Sequence, residues 1–271
     1  MEALTTRAVE AAARGDVATA GVPTLLLRQY LGTDRDDVRD ALGGALACAL
    51  ALADSDPAVI GRAAWLTLFL ESAVVADDER IRTAADRLLA GLQAEWPAQD
   101  QVAEASASVD ACLRAAVHGD PGELIQRAID QLERVIGASY RPGGGLERDL
   151  DGARVRCSLG DHVRAASALL TAFELTGRLP YSMLAEELLL IARREPPAGA
   201  DVAVHCEAAR ALCRLASLHD DPAYRAAAVV AADADYRADA SHILAAHSAA
   251  ASSGTAAEAA AYGLALLDLL K

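Results

Sequence analysis

Residues 159–194 read LGDHVRAASALLTAFELTGRLPYSMLAEELLLIARR and predict two consecutive helices. Apolar residues recur at helical spacing in the first half, at Val163, Ala166, Ala168, Leu169, Leu170 and Phe173. Gly177 interrupts the pattern, and Pro180 is well placed in the first turn of the next helix. The stretch therefore predicts a helical hairpin.

The same pattern recurs along the chain. Acidic residues or a proline stand where a helix should begin, at Asp37, Glu79, Pro121, Pro180 and Pro222. The separations are 42, 42, 59 and 42 residues, and the long interval contains an irregular loop that we place at Gly137–Ser158. A stride of this length with two helices per unit is typical of a repetitive helical architecture.

Six hairpins and one extra helix follow from this stride. The hairpins are placed at 22–52, 57–93, 99–136, 158–194, 201–235 and 239–270, and the extra helix at 2–13. The last helix, Ala256–Leu270, is strongly apolar and needs a partner, which residues 2–13 could supply. We therefore predict one all-α domain over residues 1–271, an α/α toroid of about six helical hairpins. An open α-solenoid, which needs polar ends, is the alternative.

Composition restricts the partners. The 271 residues are 53% hydrophobic, and 25 basic against 39 acidic residues leave a net charge of −14. A surface this acidic repels phosphate backbones and anionic lipids. We therefore expect neither nucleic acid nor a membrane as a partner.

Five cysteines occur without a CxxC pair, which indicates neither a disulfide framework nor a zinc site. The first residues lack the pattern of a signal peptide, so we expect a cytoplasmic protein. No HExxH, GxSxG or phosphate-binding loop occurs, and no metal or cofactor is predicted.

Three stretches carry a family resemblance: Ile136–Leu146, Leu159–Gly177 and Ala208–Tyr224. They resemble the α/α-toroid domain of the six-hairpin glycosidase superfamily, most closely the helical part of proteins of the YyaL and spermatogenesis-associated protein 20 type. The thioredoxin-like domain of those proteins has no counterpart here. The resemblance implies a central polar cavity that binds or converts a sugar.

In such toroids the loops before the inner helices line the mouth of the cavity, and the longest one here is Tyr140–Ser158. Its triple glycine, Gly143–Gly145, allows a backbone to approach a ligand, although it equally suits a turn. From this loop and the following inner helices we predict ligand-binding residues at Tyr140, Arg141, Gly144, Gly145, Arg148 and His205.

Carboxylates near this loop are the candidates for catalysis, because glycosidases use two of them. The predicted catalytic residues are Asp149, Asp151, Asp161 and His162. Asp161 and His162 could form an acid–base pair, but neighbouring helical positions diverge by about 100°, so one of them should face away. Asp161 equally suits a helix start. Asp110, polar on an apolar inner helix, is a further cavity candidate.

Two functions stay open at this point. The first is a six-hairpin glycosidase-like protein that acts on or binds a carbohydrate, and as an enzyme it would be a sugar hydrolase or isomerase. The second is a non-catalytic helical scaffold or protein-binding module, which the aromatic content of 4% and the lack of a sharp motif favour.

Overall fold

The computed structural model describes the chain except residues 56–57, 119–120, 151–152, 195–200, 229 and 232, and except the side chains of residues 121, 149, 150, 153 and 250. The helices are α1 (Glu2–Ala13), α2 (Gly21–Thr33), α3 (Asp36–Ala53), α4 (Val59–Ser72), α5 (Glu79–Glu95), α6 (Val102–Ala116), α7 (Pro121–Ser139), α8 (Leu159–Thr176), α9 (Leu179–Ala192), α10 (Val202–His219), α11 (Pro222–Ala228), α12 (Tyr236–Ser253) and α13 (Ala256–Leu269). Three short strands are β1 (Tyr140–Arg141), β2 (Gly145–Leu150) and β3 (Ala153–Arg156).

The helices agree with the predicted hairpins, and α1 has the predicted bounds of the extra helix. The chain divides into two compact units. Unit one comprises residues 1–90, 201–210 and 240–271, and unit two comprises residues 91–200 and 211–239. None of the described helices is long and apolar enough to cross a bilayer.

In unit one the last helix packs against the first helices of the chain. Helix α13 packs on α1 and α2, and α1 also packs on α2 and α3. Gly263 of α13 lies against Leu25, whose Cδ2 would be only 3.0 Å from an added Cβ atom. The Arg7 guanidinium donates hydrogen bonds to the carbonyls of Ala251 (2.6 Å) and Gly254 (2.7 Å), so α1 also holds the end of α12.

In unit two the hairpins α6–α7 and α8–α9 pack side by side through α6 and α8. Helix α8 begins with a capping box, in which Ser158 accepts from the Asp161 amide and the Asp161 carboxylate accepts from Ser158. It ends at Gly177, whose φ of 67° is the left-handed conformation that glycine adopts most easily. Local capping chemistry therefore sets both ends of this inner helix.

The predicted irregular loop at 137–158 is wrong in its detail. Helix α7 continues to Ser139, and the next residues form a three-stranded antiparallel sheet in the order β1-β2-β3. In its register Tyr140 faces Leu146, and Glu147 faces Arg156. The strands are short and richly charged, which hides the alternation that marks a strand in the sequence. We call this element the meander.

A buried carboxylate holds the segment that precedes α12. Glu186 of α9 is fully buried and accepts hydrogen bonds from the Ala231 amide (3.0 Å) and the Tyr236 hydroxyl (2.6 Å). His219 approaches the same carboxylate at 3.6 Å. These contacts fix the backbone around Ala231 and the packing of Tyr236 on α9.

Helices α6 and α8 are buried on almost all sides and leave one half-exposed stripe each. On α6 the stripe contains Ala103, Ala107, Asp110 and Arg114, and on α8 it contains Asp161, Arg164 and Ser167. The spacing of three and four residues is that of one helix face. Polar groups on these stripes are therefore the ones available to a ligand.

Candidate functional site

Polar side chains from three helices meet on these stripes in unit two. We call them the Asp110 cluster, which consists of Asp110 and Arg114 of α6, Ser167, Thr171 and Glu174 of α8, and Arg214 of α10. The Asp110 side chain is 17% exposed and that of Arg114 is 36% exposed. The cluster is therefore anchored among buried residues and still open to solvent at its guanidinium edge.

Asp110 is the central acceptor. The Thr171 hydroxyl donates to its Oδ1 at 2.5 Å, and the Ser167 hydroxyl donates to its Oδ2 at 3.0 Å. Arg114, one helical turn further along α6, donates from Nε to Oδ1 at 3.2 Å. Both carboxylate oxygens therefore have donors from a neighbouring helix or turn.

Arg214 ties the third helix to this centre. It donates from Nη2 to the Thr171 hydroxyl at 2.9 Å and from Nη1 to the Ser167 hydroxyl at 3.1 Å. Its Nη2 also lies 2.9 Å from Glu174 Oε1. Because the guanidinium is shared among acceptors on three residues of α8, its plane has a defined direction.

The electrostatics keep Asp110 ionised. Burial by itself would raise the pKa of this carboxyl, but the guanidinium groups of Arg114 and Arg214 and the hydroxyls of Thr171 and Ser167 outweigh burial, and the pKa lies below its usual value. Asp110 can therefore accept hydrogen bonds or stabilise positive charge at neutral pH, but it carries no proton to donate.

The repeat explains why these residues meet. Thr171 and Arg214 are 43 residues apart, and so are Arg28 and Glu71, which form a 2.6 Å ion pair in unit one. Asp110 was predicted from the sequence as a cavity residue, whereas Arg214 and Thr171 were not. Comparing polar positions across the stride of about 42 residues is the signal that could have found them.

The predicted pair Asp161 and His162 separates as the helix geometry requires. Asp161 is half-exposed on the α8 stripe, caps its own helix, and accepts a hydrogen bond from the Ala103 amide at 3.2 Å. His162 is fully buried, with Nδ1 2.9 Å from the Ser158 carbonyl and Nε2 accepting from the Leu146 amide at 3.1 Å. These contacts give His162 the role of joining the meander to α8.

Gly145 supports that junction by its lack of a side chain. A Cβ atom there would lie 2.7 Å from His162 Nε2 and 3.1 Å from Ile191 Cγ2, and its φ is +85°. Glu187 of α9 holds the same turn, since it accepts from the Tyr140 hydroxyl (2.8 Å) and the Gly143 amide (3.0 Å). Burial and the Glu187 carboxylate raise the pKa of Tyr140 to about 12, so the phenol keeps its proton.

The remaining loop residues lie on the meander. Glu147 stands between Arg141 and Arg154 at 3.9 Å from each, Arg148 is exposed, and Gly144 closes the turn with its amide on the Arg141 carbonyl at 3.0 Å. Asp149 is paired with Arg154 in the strand register. Its side chain, like the whole of Asp151, lies outside the described residues.

His205 belongs to unit one. Its ring is buried and stacks on that of His247, with centroids 4.4 Å apart. Within the described parts of the chain, no three His, Cys, Asp or Glu side chains come together as metal ligands.

No protein-family model and no curated protein sequence matches this chain. Solved structures do. An inactive variant of the α-1,6-mannanase of Salegentibacter sp. HEL1_6, with two adjacent aspartates changed to asparagine and with α-1,6-mannotriose bound, is 11% identical; the match covers 98% of this chain and 97% of that chain with a TM-score of 0.70. The chain has the α/α-toroid fold.

Two further structures of that mannanase agree. An alanine variant bound to α-1,6-mannotetrose is 12% identical over 93% of this chain and 88% of that one, with a TM-score of 0.68, and another mannanase structure is 10% identical over 98% and 97%, with a TM-score of 0.67. This six-hairpin glycosidase-like fold confirms the toroid over the open solenoid. The comparisons do not support the finer resemblance to the YyaL type.

Proposed function

We propose that this toroid binds an oligosaccharide and that the Asp110 cluster supplies the hydrogen bonds. The observation that carries the proposal is a charged cluster, partly open to solvent, on helices that are otherwise buried. A sugar diol is recognised by paired donors and acceptors, and an ionised carboxylate beside guanidinium groups offers both. The fold of mannanases solved with α-1,6-linked mannose oligosaccharides supports this ligand class.

Binding suits the cluster better than hydrolysis. A glycosidase needs one carboxylic acid that is protonated at working pH and a second carboxylate. Asp110 has a lowered pKa, and Glu174 is paired with Arg214. Asp110 therefore does not supply the proton that glycosidic cleavage requires.

Hydrolysis is the second candidate function, and the fold favours it. The mannanase of the comparison is inactive when two adjacent aspartates are replaced. In this chain the predicted carboxylates Asp149, Asp151 and Asp161 would have to perform that chemistry, with Tyr140, Arg141 and Arg148 of the meander near the sugar. Release of mannose or mannobiose from α-1,6-mannotetrose that is lost in Asp161→Asn but kept in Ser158→Ala, which also breaks the capping box of α8, would establish this role.

The binding proposal is tested by calorimetric titration with α-1,6-mannotriose, α-1,6-mannotetrose and, as a control sugar, cellotriose. Arg114→Gln should weaken mannotriose binding at least about tenfold, because a hydrogen bond to a charged group contributes about 1.5–3 kcal/mol. Arg225→Gln, an exposed arginine of α11, is the matched control and should change Kd less than about twofold. Equal affinity for cellotriose, or an unaltered Kd in Arg114→Gln, would refute the site.

A further inference from the structure

Exposed apolar side chains concentrate at one kind of position. The four most exposed large apolar residues in the described chain are Val74 (71%), Leu270 (67%), Val117 (64%) and Leu31 (56%). Each lies at or just beyond the C-terminal end of a helix, α4, α13, α6 and α2 respectively. Scattered apolar residues on a surface need no explanation, but a shared structural position does.

Three of these residues stand at the ends of helices that pack on one another in unit one. Gly263 of α13 lies against Leu25 of α2, and Ala260 lies 3.7 Å from a Cβ atom added at Gly21, so the two helices run in parallel. Equal rise per residue then places Leu270 beside the end of α2, at Leu31.

The other neighbour of α2 follows the same argument. Arg28 of α2 is bonded to Glu71 of α4 at 2.6 Å. Leu31 follows Arg28 by three residues on α2, and Val74 follows Glu71 by three residues, just beyond the end of α4. Val75, the next residue, is 38% exposed. Since α2 contacts both α13 and α4, we expect Leu31, Val74, Val75 and Leu270 to lie at neighbouring helix ends, and we call these four residues the apolar row.

The surroundings of the apolar row are acidic. Residues 31–40 contain four aspartates and two arginines, and residues 74–82 contain three acidic residues and two arginines. The arginines are already engaged, since Arg35 pairs with Asp37 (2.7 Å) and Arg80 pairs with Asp78 (2.7 Å). The two segments therefore keep net charges of −2 and −1, while Lys271, next to Leu270, is paired with Asp268 at 2.7 Å.

We propose that the apolar row docks a helical segment of a partner protein that has an apolar stripe flanked by lysine or arginine. Burial of the apolar row against a partner removes apolar surface from water, which is favourable, and the acidic flanks attract a basic segment. A second copy of this chain is disfavoured, because each copy has a net charge of −14 and would bring the same acidic flanks. The apolar row shares no residue with the Asp110 cluster.

The proposal can be tested with two synthetic amphipathic helices of 21 residues, one built from leucine and lysine and the other from leucine and glutamate. Fluorescence anisotropy should detect binding of the lysine peptide alone. Its Kd should rise at least about tenfold in the double variant Leu31→Ser/Val74→Ser. Its Kd should also rise at least several-fold between about 0.05 and about 0.5 M salt, because salt shortens the Debye length and screens the charges. Val155→Ser/Met183→Ser, which alters exposed apolar residues of unit two, is the matched control.

Three results would overturn the proposal: binding of both peptides alike, binding of neither, or an unchanged Kd in the Leu31→Ser/Val74→Ser variant. Sedimentation that reveals a dimer of the wild type, lost in the same variant, would assign the row to a second copy instead. Charge reversal at two exposed carboxylates, Asp40→Lys/Asp77→Lys, leaves the four apolar side chains unchanged and should also weaken binding of the lysine peptide. No change in that variant would remove the electrostatic argument.

Discussion

Gly145 occupies a position that no other residue fits. Its φ of +85° disfavours a side chain, and an added Cβ would meet His162 and Ile191. Gly145→Ala should lower the free energy of unfolding by about 3 kcal/mol, measured by urea denaturation. Gly143→Ala is the matched control, because Gly143 has a similar φ of +72° with no atom near its would-be Cβ, and should cost about 1 kcal/mol. Equal losses would show that the His162 contact is unimportant.

Asp110 makes stability depend on pH. Its pKa is lower in the folded protein than the ordinary 3.8, so the carboxylate stabilises the fold above that value, and this contribution is lost as the pH falls through the folded pKa. Asp110→Asn should cost about 3 kcal/mol at pH 7 and progressively less below pH 4. Asp86→Asn, an exposed control, should change little at pH 7. A pH-independent difference between the wild type and Asp110→Asn would contradict the assignment.

At the scale of the element, one arginine joins α1 to the end of α12. Arg7 donates to three carbonyl groups, of Ala251, Ser252 and Gly254, within 2.6–2.8 Å. Arg7→Ala should lower the free energy of unfolding by about 2 kcal/mol and accelerate amide exchange at the C-terminal turn of α12. Arg14→Ala removes an exposed arginine just after the same helix, 3.9 Å from Glu10, and should change stability by less than about 0.5 kcal/mol. Unchanged exchange in Arg7→Ala would show that water replaces the guanidinium without cost.

The helices were predictable from the sequence and the meander was not. Apolar spacing and capping residues marked α8 and α9 because both signals are local. The meander depends instead on side chains outside it, His162, 16 residues beyond Leu146, and Glu187, 44 residues beyond Gly143. The same contrast holds within the candidate site. Asp110 was recognisable as a polar residue in an apolar helix, whereas Arg214 can be assigned to the site only from its hydrogen bond to Thr171 of another helix.

At the scale of the whole molecule, the prediction of one domain remains to be tested. Helix α10 has residues in both compact units, and unit one is assembled from three separate stretches of chain. We expect a single calorimetric transition with equal calorimetric and van't Hoff enthalpies. Two resolved transitions would show that the units unfold separately.

The fold class could be predicted because a constant stride of helical hairpins is visible in one sequence. The finer family could not, because alanine- and leucine-rich hairpins look alike across helical folds, and the mannanase structures share this fold at only 10–12% identity. The ligand depends on a few side chains placed by that fold, so sequence pattern alone does not specify it.

The difference in burial among the five cysteines should allow one of them to be labelled selectively. Cys112, Cys157, Cys206 and Cys213 are buried, whereas Cys48 of α3 is only partly covered. Burial raises the pKa of Cys112 and Cys206 to about 12 and that of Cys157 to about 11, which suppresses the reactive thiolate. A maleimide dye should therefore attach once to the native protein and five times in denaturant, as counted by mass spectrometry, and so give a fluorophore at one known place without any engineering.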